Sequence, residues 1–136
     1  MDKQKIEQYL DLVTDRLKNL QRPENEEEWI AKQKADGQVI GAFPRDFGME
    51  PWDWPQGVGL YGMLKRYEYQ KDEDIREYLN QWFSTHLDEG LPVRNINTTC
   101  PLLTLSSLTE GKLGFETLCD DWADWVMHSL PRTEEN

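Results

Sequence analysis

The chain is poor in cysteine, histidine and basic charge, and it has no long apolar run. Its 136 residues carry 26 acids against 15 bases, a formal net charge of −11. A surface of that sign repels phosphate backbones and anionic lipid, so neither nucleic acid nor a membrane is an expected partner. No apolar stretch approaches the roughly 20 residues that cross a bilayer. The polar start, Met1-Asp-Lys-Gln-Lys, offers no apolar core of a signal peptide, and a cytoplasmic location is the expectation. The two cysteines, Cys100 and Cys119, lie among apolar neighbours, and a structural zinc takes four ligands. A disulfide between them stays open, with buried free thiols the better fit. Only His86 and His128 are histidines, and both fall near helix ends. No nucleophile–histidine–acid arrangement can be assembled from them.

What the chain does have is tryptophan, six in all, and helical periodicity. Ile6, Tyr9, Leu10, Val13, Leu17 and Leu20 recur as one helix face. Residues 23–55 read as an irregular region within a single domain of residues 1–136. A short helix is expected over 23–35 and an extended piece over 38–43. Pro44, Pro51 and Pro55 then forbid a long helix. From Gln56, the residues Val58, Leu60, Tyr61, Met63, Leu64 and Tyr67 predict a helix that is apolar over most of its girth. Its glycines at 57, 59 and 62 weaken a helix, and they make sense where another backbone or a ligand comes close.

Ile75, Tyr78, Leu79, Trp82 and Phe83 predict an amphipathic helix stopped near Gly90. A short apolar helix follows over 101–108, with Thr98 or Thr99 as its cap. Phe115, Leu118, Cys119, Trp122, Trp125 and Val126 predict a last amphipathic helix. Ile75 pairs with Phe115, Tyr78 with Leu118, Trp82 with Trp122 and Met63 with Leu103 at a spacing of 40 residues. A period near 40 belongs to helical hairpins laid side by side. The expectation is an all-α fold of about five main helices, alternately half-buried and buried, as two concentric layers require. A solenoid shares the period.

Candidate chemistry collects in two places. Gly57-Val-Gly-Leu-Tyr-Gly62 fits the dinucleotide fingerprint in letters, but no strand precedes it. Asp53 lies between Trp52 and Trp54 just before that helix, where it can cap the helix or bind sugar hydroxyls. Asn95, Asn97, Thr98 and Thr99 precede the second apolar helix, and they can cap it, face a ligand, or do both. Asp120, Asp121 and Asp124 read as a solvated helix face.

Two segments, Trp52-Asp-Trp-Pro-Gln-Gly-Val-Gly-Leu-Tyr-Gly62 and Leu91-Pro-Val-Arg-Asn-Ile-Asn-Thr-Thr-Cys-Pro-Leu-Leu103, resemble the unsaturated rhamnogalacturonyl hydrolases. These are glycoside hydrolases grouped with the unsaturated glucuronyl hydrolases (families 88 and 105). The resemblance implies part of a six-hairpin α/α toroid, with helices in the order outer then inner. It implies an unsaturated uronic-acid oligosaccharide as substrate and no metal or organic cofactor. In that chemistry an aspartic acid protonates the C4=C5 vinyl ether and water adds at C5, unlike the paired-carboxylate scheme of ordinary glycosidases. The substrate-binding residues it suggests are Trp52, Asp53, Trp54, Gln56, Asn95, Asn97 and Thr98. No position matches the family's catalytic aspartate, so the chain is expected to be inactive alone. Uncovered inner-helix residues Leu60, Leu64, Leu102 and Leu105 are expected to invite self-association. A non-catalytic helical interaction module is the alternative.

Overall fold

The computed structural model describes residues 2–20, 48–108 and 113–132, and the described residues form helices and turns without a strand. The expected elements over 23–35 and 38–43 lie outside them. The chain divides into two compact units, Met1–Pro51 and Trp52–Asn136.

In the first unit, α1 spans Lys3–Lys18 with Arg16 and Lys18 in its last turn, where the helix dipole favours cations. Ile6, Tyr9, Leu10 and Val13 do share a face, and that face is exposed, whereas Thr14 is buried.

The described residues of the second unit form four helices. The first of them, α2, spans Trp54–Gln70. It starts earlier than its apolar pattern because Pro55, expected to block a helix, sits in the first turn, where no amide donor is needed. Asp53 is its N-cap, and the carboxylate accepts from the Trp54 amide at 2.8 Å. Lys71 ends α2 in the left-handed region at φ 57° and ψ 37°. Asp72 then caps α3, Glu73–Glu89, through a 3.0 Å bond from the Asp74 amide. This two-residue link makes α2 and α3 an antiparallel hairpin, and they pack on each other. Gly90 closes α3 at φ 99°, a conformation that favours glycine.

The fourth helix, α4, runs only over Leu102–Ser107, and α5 spans Leu113–His128. Helix α4 packs on both α2 and α5. Ile75, Leu79, Trp82 and Phe83 of α3 are buried, as are Phe115 and Trp122 of α5. The 40-residue spacing therefore aligns α3 with α5, and Ile75/Phe115 and Trp82/Trp122 are equivalent core positions. It fails for α2 and α4, where Met63 is buried and Leu103 is exposed. The cause is that α4 starts 48 residues after α2 rather than 40, which turns Leu103 outward.

The uncovered apolar residues are also not the four expected. Leu60, Leu64, Leu102 and Leu105 are buried, because α2 meets α3 and α4 along the row that carries them. Val58, Tyr61 and Leu103 are exposed instead. Gly62 lies on that open side, and a Cβ added there meets nothing within 4 Å. Gly62→Ala is expected to raise stability by about 0.5–1 kcal/mol, since alanine restricts the unfolded chain without a clash. A urea titration followed by far-ultraviolet circular dichroism measures it, and a lower midpoint contradicts the open space at this position.

Candidate functional site

One glycine-dependent contact and one indole hydrogen bond bring the two motif segments together. At Gly57 a Cβ would lie 2.7 Å from Cys100 Sγ, 2.8 Å from Pro101 N and 2.9 Å from Cys100 C. Helix α2 thus starts against the backbone that leads into α4, and only glycine leaves room. One turn earlier, the buried Trp52 indole donates from Nε1 to the Thr98 carbonyl at 2.7 Å. The Trp52-Asp-Trp turn and the 95–98 turn therefore lie side by side at one end of the α2–α4 pair.

The 95–98 turn is built by its own side chains. Asn95 Oδ1 accepts from the Asn97 amide at 2.8 Å and the Thr98 amide at 3.1 Å. Thr98 Oγ1 accepts from the Asn95 amide at 2.9 Å and lies 3.1 Å from the carbonyls of Val93 and Asn95, to which its hydroxyl proton is directed. Short polar side chains next to their own backbone favour such turns over helix. These bonds also explain a departure from expectation. Neither threonine caps α4, whose N-cap is Pro101 without a side-chain bond. The Thr99 hydroxyl is likewise turned back, to the carbonyls of Asn95 and Ile96.

The candidate residues separate by exposure. Trp54 is 51% exposed, and Asn95 and Asn97 face solvent. Trp52, Asp53, Gln56 and Thr98 are buried. Trp52 stacks on Trp82 at 5.3 Å between centroids and 25° between planes, and it meets Phe83 edge-on at 5.6 Å. Trp52 is thus covered by Trp82 and Phe83, whereas Trp54 keeps half of its surface open to solvent. Asp53 acts as the helix cap, one of its two expected parts.

Arg94 was not apparent from the sequence. Its guanidinium lies 5.3 Å from the Trp122 ring centre and donates to the Asp121 carbonyl at 3.2 Å. This cation–π contact ties the turn to α5. No local pattern signals a pairing across that sequence distance.

Asp120, Asp121 and Asp124 are exposed on α5, and Asp124 pairs with His128 at 3.0 Å. Among the described residues no group of three or more histidines, cysteines or acids is placed to hold a metal ion. Among them, too, no helix is long and apolar enough to cross a membrane. Cys100 and Cys119 are free thiols. Burial first, and the Asp53 carboxylate second, push the Cys100 thiol above its ordinary value, and burial and then Asp120 do the same for Cys119. A raised thiol pKa means less thiolate at a given pH. At pH 8 both thiols are expected to react with a disulfide reagent more slowly in the folded chain than in urea. Equal rates contradict that shielding.

The chain is similar to known proteins in sequence and in fold. The chain is 35% identical over 100 residues to the unsaturated rhamnogalacturonyl hydrolase YesR of Bacillus subtilis (strain 168), a match over 71% of this chain and 28% of that protein. A crystal structure from Klebsiella pneumoniae subsp. pneumoniae MGH 78578, described as a possible member of the GH105 family, superposes with a TM-score of 0.78 at 28% identity. Another, from Salmonella enterica subsp. enterica serovar Paratyphi A str. ATCC 9150 and described in the same words, gives 0.78 at 29%. Each covers 99% of this chain, which spans 34% of theirs. The all-helical architecture of the described residues is accordingly that of an incomplete six-hairpin α/α toroid. The profile of Glycosyl Hydrolase Family 88 matches residues 23–136, and the chain belongs to that family.

Proposed function

We propose that the chain builds the first part of a site for the unsaturated uronyl end of a rhamnogalacturonyl-type, pectin-derived oligosaccharide. The observation that carries this reading is the bond from Trp52 to Thr98, which sets exposed Trp54 beside a turn bearing exposed Asn95 and Asn97. A ring with a C4=C5 double bond is flattened around that bond, so its face fits an indole face. Amide side chains both donate to and accept from sugar hydroxyls. The name of the Bacillus subtilis relative supports the substrate class.

The chain spans less than a third of that relative's length, and the full hydrolytic activity belongs to the proposal. In the chemistry we assign, an aspartic acid delivers a proton to C4 and water adds at C5. Asp53, the buried carboxylate beside Trp54, holds the α2 N-terminus, and we give it no proton-transfer part. The residues described here bind and orient the sugar, and turnover by them alone is not expected, because binding groups do not replace a general acid.

Titration of the chain with an unsaturated rhamnogalacturonyl disaccharide, followed by tryptophan fluorescence, tests this. Trp54→Ala is expected to weaken binding about tenfold, as loss of an aromatic anchor does. Equal affinity of Trp54→Ala and the parent chain overturns the reading.

Exposed Val58, Tyr61 and Leu103 favour a second reading, a helical module that self-associates through this face. Light scattering that gives a monomer mass at every concentration counts against it.

A further inference from the structure

We infer that Trp52 is a positioning residue, whose indole N–H fixes the height of the 95–98 turn beside Trp54 so that Asn97 meets the sugar. This inference rests on the sugar reading above. The indole has little freedom. It is stacked on Trp82, meets Phe83 edge-on and lies 5.6 Å from His86. His86 is held in turn, with Nδ1 donating to the Trp82 carbonyl at 2.9 Å. The direction of the Trp52 N–H is therefore set by α3, and a desolvated N–H is costly to leave without an acceptor.

Its acceptor is a backbone carbonyl, so what the indole fixes is the main chain at Thr98 rather than a side chain. The turn moves as one piece, because Asn95 Oδ1 holds the amides of Asn97 and Thr98 and Thr98 Oγ1 holds the amide of Asn95. Arg94 grips the other flank through Trp122 and Asp121. The exposed amide of Asn97 is thus carried by a turn tethered at two points, one on α3 by way of Trp52 and one on α5. Trp52 does this without a face open to the ligand.

Trp52→Phe keeps a ring against Trp82 and removes the donor. Replacement of Trp52 by 3-benzothienylalanine, which exchanges only the N–H for sulfur, serves where the phenylalanine variant loses its helical dichroism. Loss of one buried hydrogen bond predicts about tenfold faster amide exchange at Asn97 and Thr98. It also predicts about tenfold weaker binding of the unsaturated disaccharide. Asn97→Ala is expected to weaken binding by a similar factor, and the double variant to be little worse than either single one, because both act through one contact. Amide exchange unchanged within about twofold overturns the inference, since the turn is then held without the indole. Losses that multiply to about a hundredfold in the double variant also overturn it, since Trp52 then acts independently of Asn97. Faster exchange in a chain whose parent does not bind the disaccharide leaves the tether standing and removes the sugar reading.

Discussion

Gly57→Ala is expected to destabilise the second unit by about 3 kcal/mol, at the upper end of overpacking costs. The added methyl meets Pro101 N at 2.8 Å and Cys100 C at 2.9 Å, both main-chain atoms. A flexible side chain swings away from such a contact, but a backbone held between two helices does not. Relief requires α2 to move off the start of α4, and that movement also draws Trp52 away from Thr98. The urea midpoint of Gly57→Ala measures the loss. Gly62→Ala on the same helix is the control, because it is expected to move the midpoint the other way. An alanine at position 57 that leaves the midpoint unchanged contradicts the close approach.

Phe83→Ala is expected to cost about 3–5 kcal/mol, the range for a large aromatic removed from a core. Phe83 is fully buried on α3 and meets the edges of both Trp52 and Trp82, with the Trp82 contact at 5.0 Å. The cavity opens directly behind the indole that reaches Thr98, so the damage extends to the candidate site. Thermal unfolding followed at the near-ultraviolet tryptophan bands reports both effects. A small loss, below about 1 kcal/mol, contradicts a close-packed cluster.

Much of the architecture is legible in the sequence where local chemistry decides it. Gly90 marks the end of α3 because a glycine takes the positive φ that closes it. The 40-residue spacing of Trp82 and Trp122 marks equivalent core positions because α3 and α5 start 40 residues apart. Gly57 is legible as a close approach, although not against which backbone. The roles of the two tryptophans around Asp53 are not legible. They lie at the edge of the periodic stretch, so no helical period says which is inside. Trp52 is buried because Trp82, thirty residues on, offers it a face, and that pairing is tertiary. The same holds for Arg94 on Trp122. Thr98 was misread for another reason. A threonine before a helix suggests a cap, but here α4 begins four residues later, and the hydroxyl serves its own turn.

Backbone amide and indole spectra, recorded as an unsaturated rhamnogalacturonyl disaccharide is added to isotopically labelled chain, show directly which residues meet the sugar. Shifts concentrated on the Trp54 indole and the amides of Asn95 and Asn97 are expected, while Asp120, Asp121 and Asp124 stay in place. Shifts confined to α5, or spread evenly over the chain, contradict a sugar site at the shared end of α2 and α4.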